Sequence, residues 1–143
     1  MSSANTFIYI VHCPDDLSVG MCEGSFGDVR FGGSVRRIKH YAEHKLRQAD
    51  TSDPLSSNYI KKISAGPLES ECGKFMLGSC FLIEATRDAV DAFIAGDVFM
   101  SAGVWDPEKI SIHRYMSFSG IKAVDVVNDG PDLTTVRMVT SKL

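Results

Sequence analysis

The run Lys74-Phe75-Met76-Leu77-Gly78-Ser79-Cys80-Phe81-Leu82-Ile83-Glu84-Ala85, followed at once by Thr86-Arg87-Asp88-Ala89-Val90-Asp91-Ala92-Phe93-Ile94-Ala95-Gly96, decides the fold. Its first half is apolar almost throughout, which predicts a central strand covered on both faces. Its second half opens on Thr86 as an N-cap and closes on Gly96 as a C-cap. Between them Ala89, Val90, Phe93 and Ile94 form one stripe at helical spacing, so a helix follows the strand directly. Upstream, Tyr59 to Ser64 reads as a short strand that Ala65-Gly66-Pro67 ends. Ser34 caps a helix over 34–49, in which Val35, Ile38, Ala42, Leu46 and Ala49 recur with helical period. Phe7 to His12 alternates, is β-branched and aromatic, and stops at the turn Cys13-Pro14-Asp15-Asp16, which makes it the first strand. Downstream, Asp97 to Gly103 is a short irregular or helical segment and Lys109 to Phe118 alternates as a fourth strand.

The order is β-α-β-β-α-β, the ferredoxin-like pattern of an α+β fold with an antiparallel sheet. Two helices cover one face of such a sheet, yet its central strand reads as apolar on both, so a second cover is needed. A second copy of the chain is the simplest one. A homodimer packed sheet on sheet encloses a barrel-like interior with room for a small-molecule substrate.

With 143 residues, the chain is expected to form one domain over 1–143, with its core at about 5–118 and a C-terminal extension over 119–143. That extension carries a turn at Asn128-Asp129-Gly130-Pro131 and a β-rich ending from Leu133 to Val139, which adds a strand or reaches a partner. An apolar fraction of 44% excludes a disordered chain. Apolar runs such as Phe81-Leu82-Ile83 are far short of the roughly 20 residues that cross a bilayer, and Met1 to Thr6 has no signal-peptide character, so a cytoplasmic location without a membrane partner is expected. A net charge of −3, with basic residues clustered only around Arg36 to Arg47, argues against a nucleic-acid partner. Cys13, Cys22, Cys72 and Cys80 show no metal-ligand spacing and read as free thiols, Cys80 in the core. The five glycines between 14 and 34 lack the spacing of a phosphate cradle; a loop of that length is a candidate lid.

Ser64-Ala65-Gly66-Pro67-Leu68, then Gly78-Ser79 opening an apolar strand, then Asp97 to Trp105 with Asp106-Pro107-Glu108-Lys109-Ile110, resembles the YCII-related family, and most of all its fungal members. The similarity runs from Phe7 to about Phe118. It implies a dimeric α+β barrel. That family carries an Arg-x-x-His pattern at the start of its first helix, whose His pairs with an Asp of the later motif. Arg37-Ile38-Lys39-His40 fits the pattern and Asp97 fits the aspartate, with His44, one helical turn on, as the alternative histidine.

A histidine held by a carboxylate is a usable general base near neutral pH. With His40 as the base, Asp97 orienting it and Arg37 (or Arg36) as an anion anchor, the set suits proton abstraction next to a carbonyl without any cofactor. The expected activity is that of a cofactor-independent lyase or isomerase acting on a small cyclic or polyketide-derived metabolite, in secondary-metabolite biosynthesis. His12, at the end of the first strand, Ser79, Phe99 and Trp105 are the further substrate-binding candidates, the two aromatics as pocket walls. His113 reads as a surface or dimer-interface residue. No metal is expected: His40 and His44 stand four apart, but Glu43 is not in the position an HExxH site needs, and no third ligand follows. The rival readings are a non-catalytic binder of a hydrophobic ligand, whose pocket has no histidine within reach of a carboxylate, and a cofactor-free monooxygenase.

Overall fold

A computed structural model describes residues 5–24 and 31–116. The strands are β1 (Phe7–Pro14), β2 (Met21–Cys22), β3 (Gly32–Ser34), β4 (Lys61–Glu69), β5 (Phe75–Ala85) and β6 (Ser111–Tyr115), and the helices α1 (Val35–Ser52), α2 (Arg87–Ala95) and α3 (Val98–Ser101). Antiparallel pairing gives the order β6-β1-β5-β4, with β5 central as its apolar run requires. This is the ferredoxin-like α+β arrangement of the dimeric α+β barrel type. β3 joins the same sheet by a short parallel pairing of Gly32 and Gly33 with Phe75 and Met76, and β2 pairs with β3. These small strands come from the glycine-rich stretch, whose residues 25–30 lie outside the description, as does the C-terminal extension. Among the described residues, no helix is long and apolar enough to cross a membrane.

One face of the sheet carries Tyr9, Val11 and Cys13 of β1 and Phe81, Ile83 and Ala85 of β5, packed against Val90, Phe93 and Ile94 of α2 and against Phe99, Val104 and Trp105. The opposite face presents Ile8, Ile10, Cys80 and Leu82, all half-buried and, among the described residues, covered by no element. Cys80 therefore lies outside the core. Cys13 is inside it, and burial, reinforced by Asp97, pushes its thiol up to about 12, which leaves it a neutral, unreactive group.

Two further readings of the sequence are corrected. Ala65-Gly66-Pro67 does not end a strand but runs through β4, opposite Phe81, Cys80 and Ser79. An edge strand tolerates a proline because its outer N–H needs no ladder partner. More important, α1 is turned with its apolar stripe outward: Leu46 is 73% exposed and Val35 48%. Its buried face holds Arg37, His44 and Thr51, with Tyr41 and Gln48 half-buried between them. A helix buries polar residues only where partners wait for them, and here Asp15, Ser79 and Asp97 are those partners.

Candidate active site

Asp15 sits just past β1, where a close approach to β5 is permitted by Gly78: a Cβ there would lie 2.9 Å from the Cys13 carbonyl oxygen. The α3–β6 loop docks on the same corner, with Asp16 N–H donating to the Val104 carbonyl at 2.8 Å and Asp106 N–H to that of Pro14 at 2.8 Å. Arg37 of α1, 1% exposed, meets Asp15 in a two-pronged ion pair, Nε to Oδ2 at 2.6 Å and Nη2 to Oδ1 at 3.0 Å. Burial pushes the Asp15 carboxyl up from its ordinary value, against the hydrogen bond and charge of Arg37. Arg37 Nη2 also donates to Ser79 Oγ at 2.8 Å, and Trp105 Nε1 donates to the same oxygen at 3.1 Å. A hydroxyl has two lone pairs and one proton. With both lone pairs of Ser79 occupied, its O–H is left to donate.

The second cluster lies two turns along α1. Asp97 caps α3, accepting the Phe99 N–H at 2.9 Å, and receives His44 Nδ1 at 2.9 and 3.1 Å, Gln48 Nε2 at 3.1 Å and Arg47 Nη1 at 3.4 Å. Burial pushes the Asp97 carboxyl up, but the His44 hydrogen bond and charge, the Phe99 N–H and Arg47 together outweigh it, and the net shift is downward. The carboxylate only accepts, so His44 Nδ1 donates and carries the proton. Nε2 of His44 has no partner among the described residues and is not sealed off, and His44 lines a cavity of about 370 Å³. The imidazole is stacked on Phe99, with centroids 3.8 Å apart and planes 5° from parallel, and the Arg37 guanidinium carbon lies 4.7 Å from the same ring centroid. Along the cavity, α1 contributes Arg37, Tyr41, His44, Lys45 and Gln48, β4 contributes Lys62 and Ser64 to Pro67, and β5 contributes Ser79 and Phe81. No Asp or Glu is among the lining residues, so negative charge developing inside meets no carboxylate on the cavity wall, while Arg37, Lys45 and Lys62 line it.

His44, not His40, is therefore the histidine that meets Asp97. His40 is half-buried, lies 3.6 Å from the Glu43 carboxylate with its Nδ1, and does not line this cavity. Helical geometry explains the difference: seven residues bring His44 to within about 20° of Arg37 around the helix, whereas three leave His40 about 60° away. His12 is on the opposite face of the sheet, across from Cys80 and Ser111, and takes no part in the cavity. Phe99 and Trp105 are fully buried behind His44 and Ser79 and hold those side chains in place; they are not the cavity's walls. Arg37 and Ser79 do line it. Asp15, Gln48 and Lys62 belong to the site and escape the sequence reading. For Gln48 a signal exists, because Arg37, Tyr41, His44, Gln48 and Thr51 repeat at i, i+4, i+7, i+11 and i+14.

The depressed native value of Asp97 fixes the sign of a stability effect. Acidic conditions add protons to the unfolded chain before the folded one, so the contribution of Asp97 is complete above the ordinary carboxylate range near pH 4 and is lost as pH falls through the native value. Urea midpoints measured from pH 6 down to pH 2 are expected to fall less steeply in Asp97→Asn than in the parent.

No protein-family model matches the chain, and neither does any curated protein. Among solved structures the chain is similar to 5-chloro-2-hydroxyhydroquinone dehydrochlorinase (TftG) from Burkholderia phenoliruptrix AC1100, in complex with 2,5-dihydroxybenzoquinone, with a TM-score of 0.50 and 21% identity over 76% of this chain and 93% of that one. At that identity the likeness shows the fold, and the fold shown is α+β of the dimeric barrel type.

Proposed function

We propose that the chain is a cofactor-independent lyase or isomerase that removes a proton next to a carbonyl in a small cyclic metabolite. The observation that carries this reading is the His44–Asp97 pair at 2.9 Å, on a histidine that lines the cavity and whose Nε2 has no partner among the described residues. His44 Nε2 takes the α-proton, and Asp97 at Nδ1 stabilises the imidazolium that forms. The negative charge moves to the carbonyl oxygen, where the Ser79 O–H and the uncommitted Nη1 of Arg37 are the available donors. The electron pair then expels a β-substituent, giving a conjugated product, or the enol is reprotonated elsewhere, giving an isomer. TftG is by name a dehydrochlorinase and was solved with a quinone, which supports an elimination on a cyclic substrate. The polyketide-derived substrate, the secondary-metabolite setting and the cytoplasmic location rest on the resemblance to the fungal YCII-related proteins. A binding module without chemistry calls for no histidine near a carboxylate, and the His44–Asp97 contact favours the enzyme. The test is dehydration of 3-hydroxycyclohexanone, alongside β-chloro cyclic ketones and 5-chloro-2-hydroxyhydroquinone, followed by product absorbance. Turnover in the parent that vanishes in His44→Ala supports the reading, and turnover undiminished in His44→Ala contradicts it.

The proposal includes a homodimer. Ile8, Ile10 and Leu82 form an apolar face that no element covers among the described residues, and Ser64 to Pro67 line both the catalytic cavity and a cavity of about 390 Å³ on that far side. A second sheet packed there closes both. Sedimentation velocity at micromolar concentration is expected to show twice the chain mass of 15.6 kDa, and a single species at the monomer mass contradicts the pairing.

A further inference from the structure

Lys62 of β4 stands on the cavity wall in a site built around its charge. Its Nζ donates to Gln48 Oε1 at 2.8 Å, to the Gln48 carbonyl at 3.1 Å and to Thr51 Oγ1 at 2.8 Å, three acceptors for the three protons of an ammonium. Thr51 is itself tied to the Arg47 carbonyl at 2.9 Å. The Gln48 carboxamide is thereby oriented without ambiguity. Lys62 can only donate and takes Oε1; ionised Asp97 can only accept and takes Nε2 at 3.1 Å. A continuous relay results, from Lys62 through Gln48 and Asp97 to His44 Nδ1. The groups facing the ammonium are Arg47 of α1, which opposes its charge, Asp97, which favours it, the Phe93 ring of α2 at 5.3 Å, and uncharged Ile83 of β5 in register across the sheet.

We propose that Lys62 and Gln48 are positioning residues for the His44–Asp97 pair, the ammonium holding the Gln48 amide so that its N–H stays on Asp97 and keeps that carboxylate aimed at His44. The inference rests on the reading of His44 as the base. Loss of a proton leaves Lys62 with two donors for three acceptors and a lone pair that can turn toward Gln48, so Oε1 loses its obligatory donor and the amide N–H is no longer fixed on Asp97. Asp97 then loses its fixed place and with it the hold on the Nδ1–H tautomer. Burial brings the Lys62 ammonium down to about 8, with Arg47 pushing the same way, so this release falls within an accessible pH range.

The experiment uses the full chain labelled with 15N-histidine, with the His44 ring signals assigned by their loss in His44→Ala and followed from pH 6 to 10. In the parent the neutral ring of His44 is expected to be mainly the Nδ1–H tautomer below pH 8 and a mixture above it. Lys62→Arg, which keeps a cation throughout, is expected to hold the tautomer to the end of the range. Lys62→Met and Gln48→Leu are expected to show the mixture at every pH, and with 3-hydroxycyclohexanone to lose kcat on the order of tenfold at little change in KM. A change near pH 8 that persists in Lys62→Arg, or an undisturbed Nδ1–H tautomer in folded Gln48→Leu, overturns the proposal. The ring signals need no substrate, so the two readings fail separately. Full turnover in His44→Ala with the expected tautomer pattern removes the base and leaves the relay; the converse removes the relay and leaves the base.

Discussion

Replacing His44 with alanine is expected to lower kcat by about 10²–10⁴-fold, the range that a positioned general base supplies, while His40→Ala stays within about threefold of the parent. The contrast follows from where the two rings sit. His44 lines the cavity with Nδ1 committed to a buried carboxylate and its face stacked on Phe99. His40 lies beside the exposed Glu43, off the cavity wall. Asp97→Asn is expected to cost about as much as His44→Ala, because an amide at that position can donate toward Nδ1 and favour the wrong tautomer. The check is steady-state kinetics on the β-hydroxy and β-chloro ketones in all three variants. A larger loss in His40→Ala than in His44→Ala would return the role to the residue that the Arg-x-x-His pattern first suggested.

Asp15→Ala is expected to destabilise the fold by about 3–5 kcal/mol, the loss typical of removing one partner from a buried ion pair. Arg37 is 1% exposed and has no other carboxylate within bonding distance among the described residues, so the variant leaves a guanidinium buried without a counter-charge. Set against a domain stability of about 5–15 kcal/mol, this is a large share. Arg37→Met in combination with Asp15→Leu is expected to recover much of the loss, since an apolar pair avoids the desolvation that the charged pair incurs. Urea unfolding of the parent, the single and the double variant measures this directly, and a loss below about 1 kcal/mol in Asp15→Ala, the size of a surface pair, would contradict the buried geometry.

The framework was legible because period and punctuation agree with it. The nearly continuous apolar run before Thr86 reads as a central strand, and Thr86 and Gly96 cap α2 as their side-chain and backbone chemistry dictates. Where apolar pattern and polar contacts compete, the pattern misled. The stripe of Val35, Ile38, Ala42 and Leu46 reads as a core face, yet α1 turns Arg37, His44 and Thr51 inward because each has a polar partner on another element. Those partners are 22, 53 and 11 positions away in the chain, and spacing within one helix carries no trace of them. The same distance in sequence hid Asp15, which reads as a turn residue, and Lys62, which falls within the short strand read from Tyr59 to Ser64. The choice between His40 and His44 was open to a purely local argument, since His44 lies about 20° from Arg37 around the helix and His40 about 60°.

Deuterium uptake from heavy water into the α-position of recovered 3-hydroxycyclohexanone tests the proton transfer itself, ahead of any departure of the β-substituent. Enzyme-dependent uptake is expected in the parent and in His40→Ala and none above background in His44→Ala; uptake that persists in His44→Ala would contradict the assignment of its imidazole as the proton acceptor.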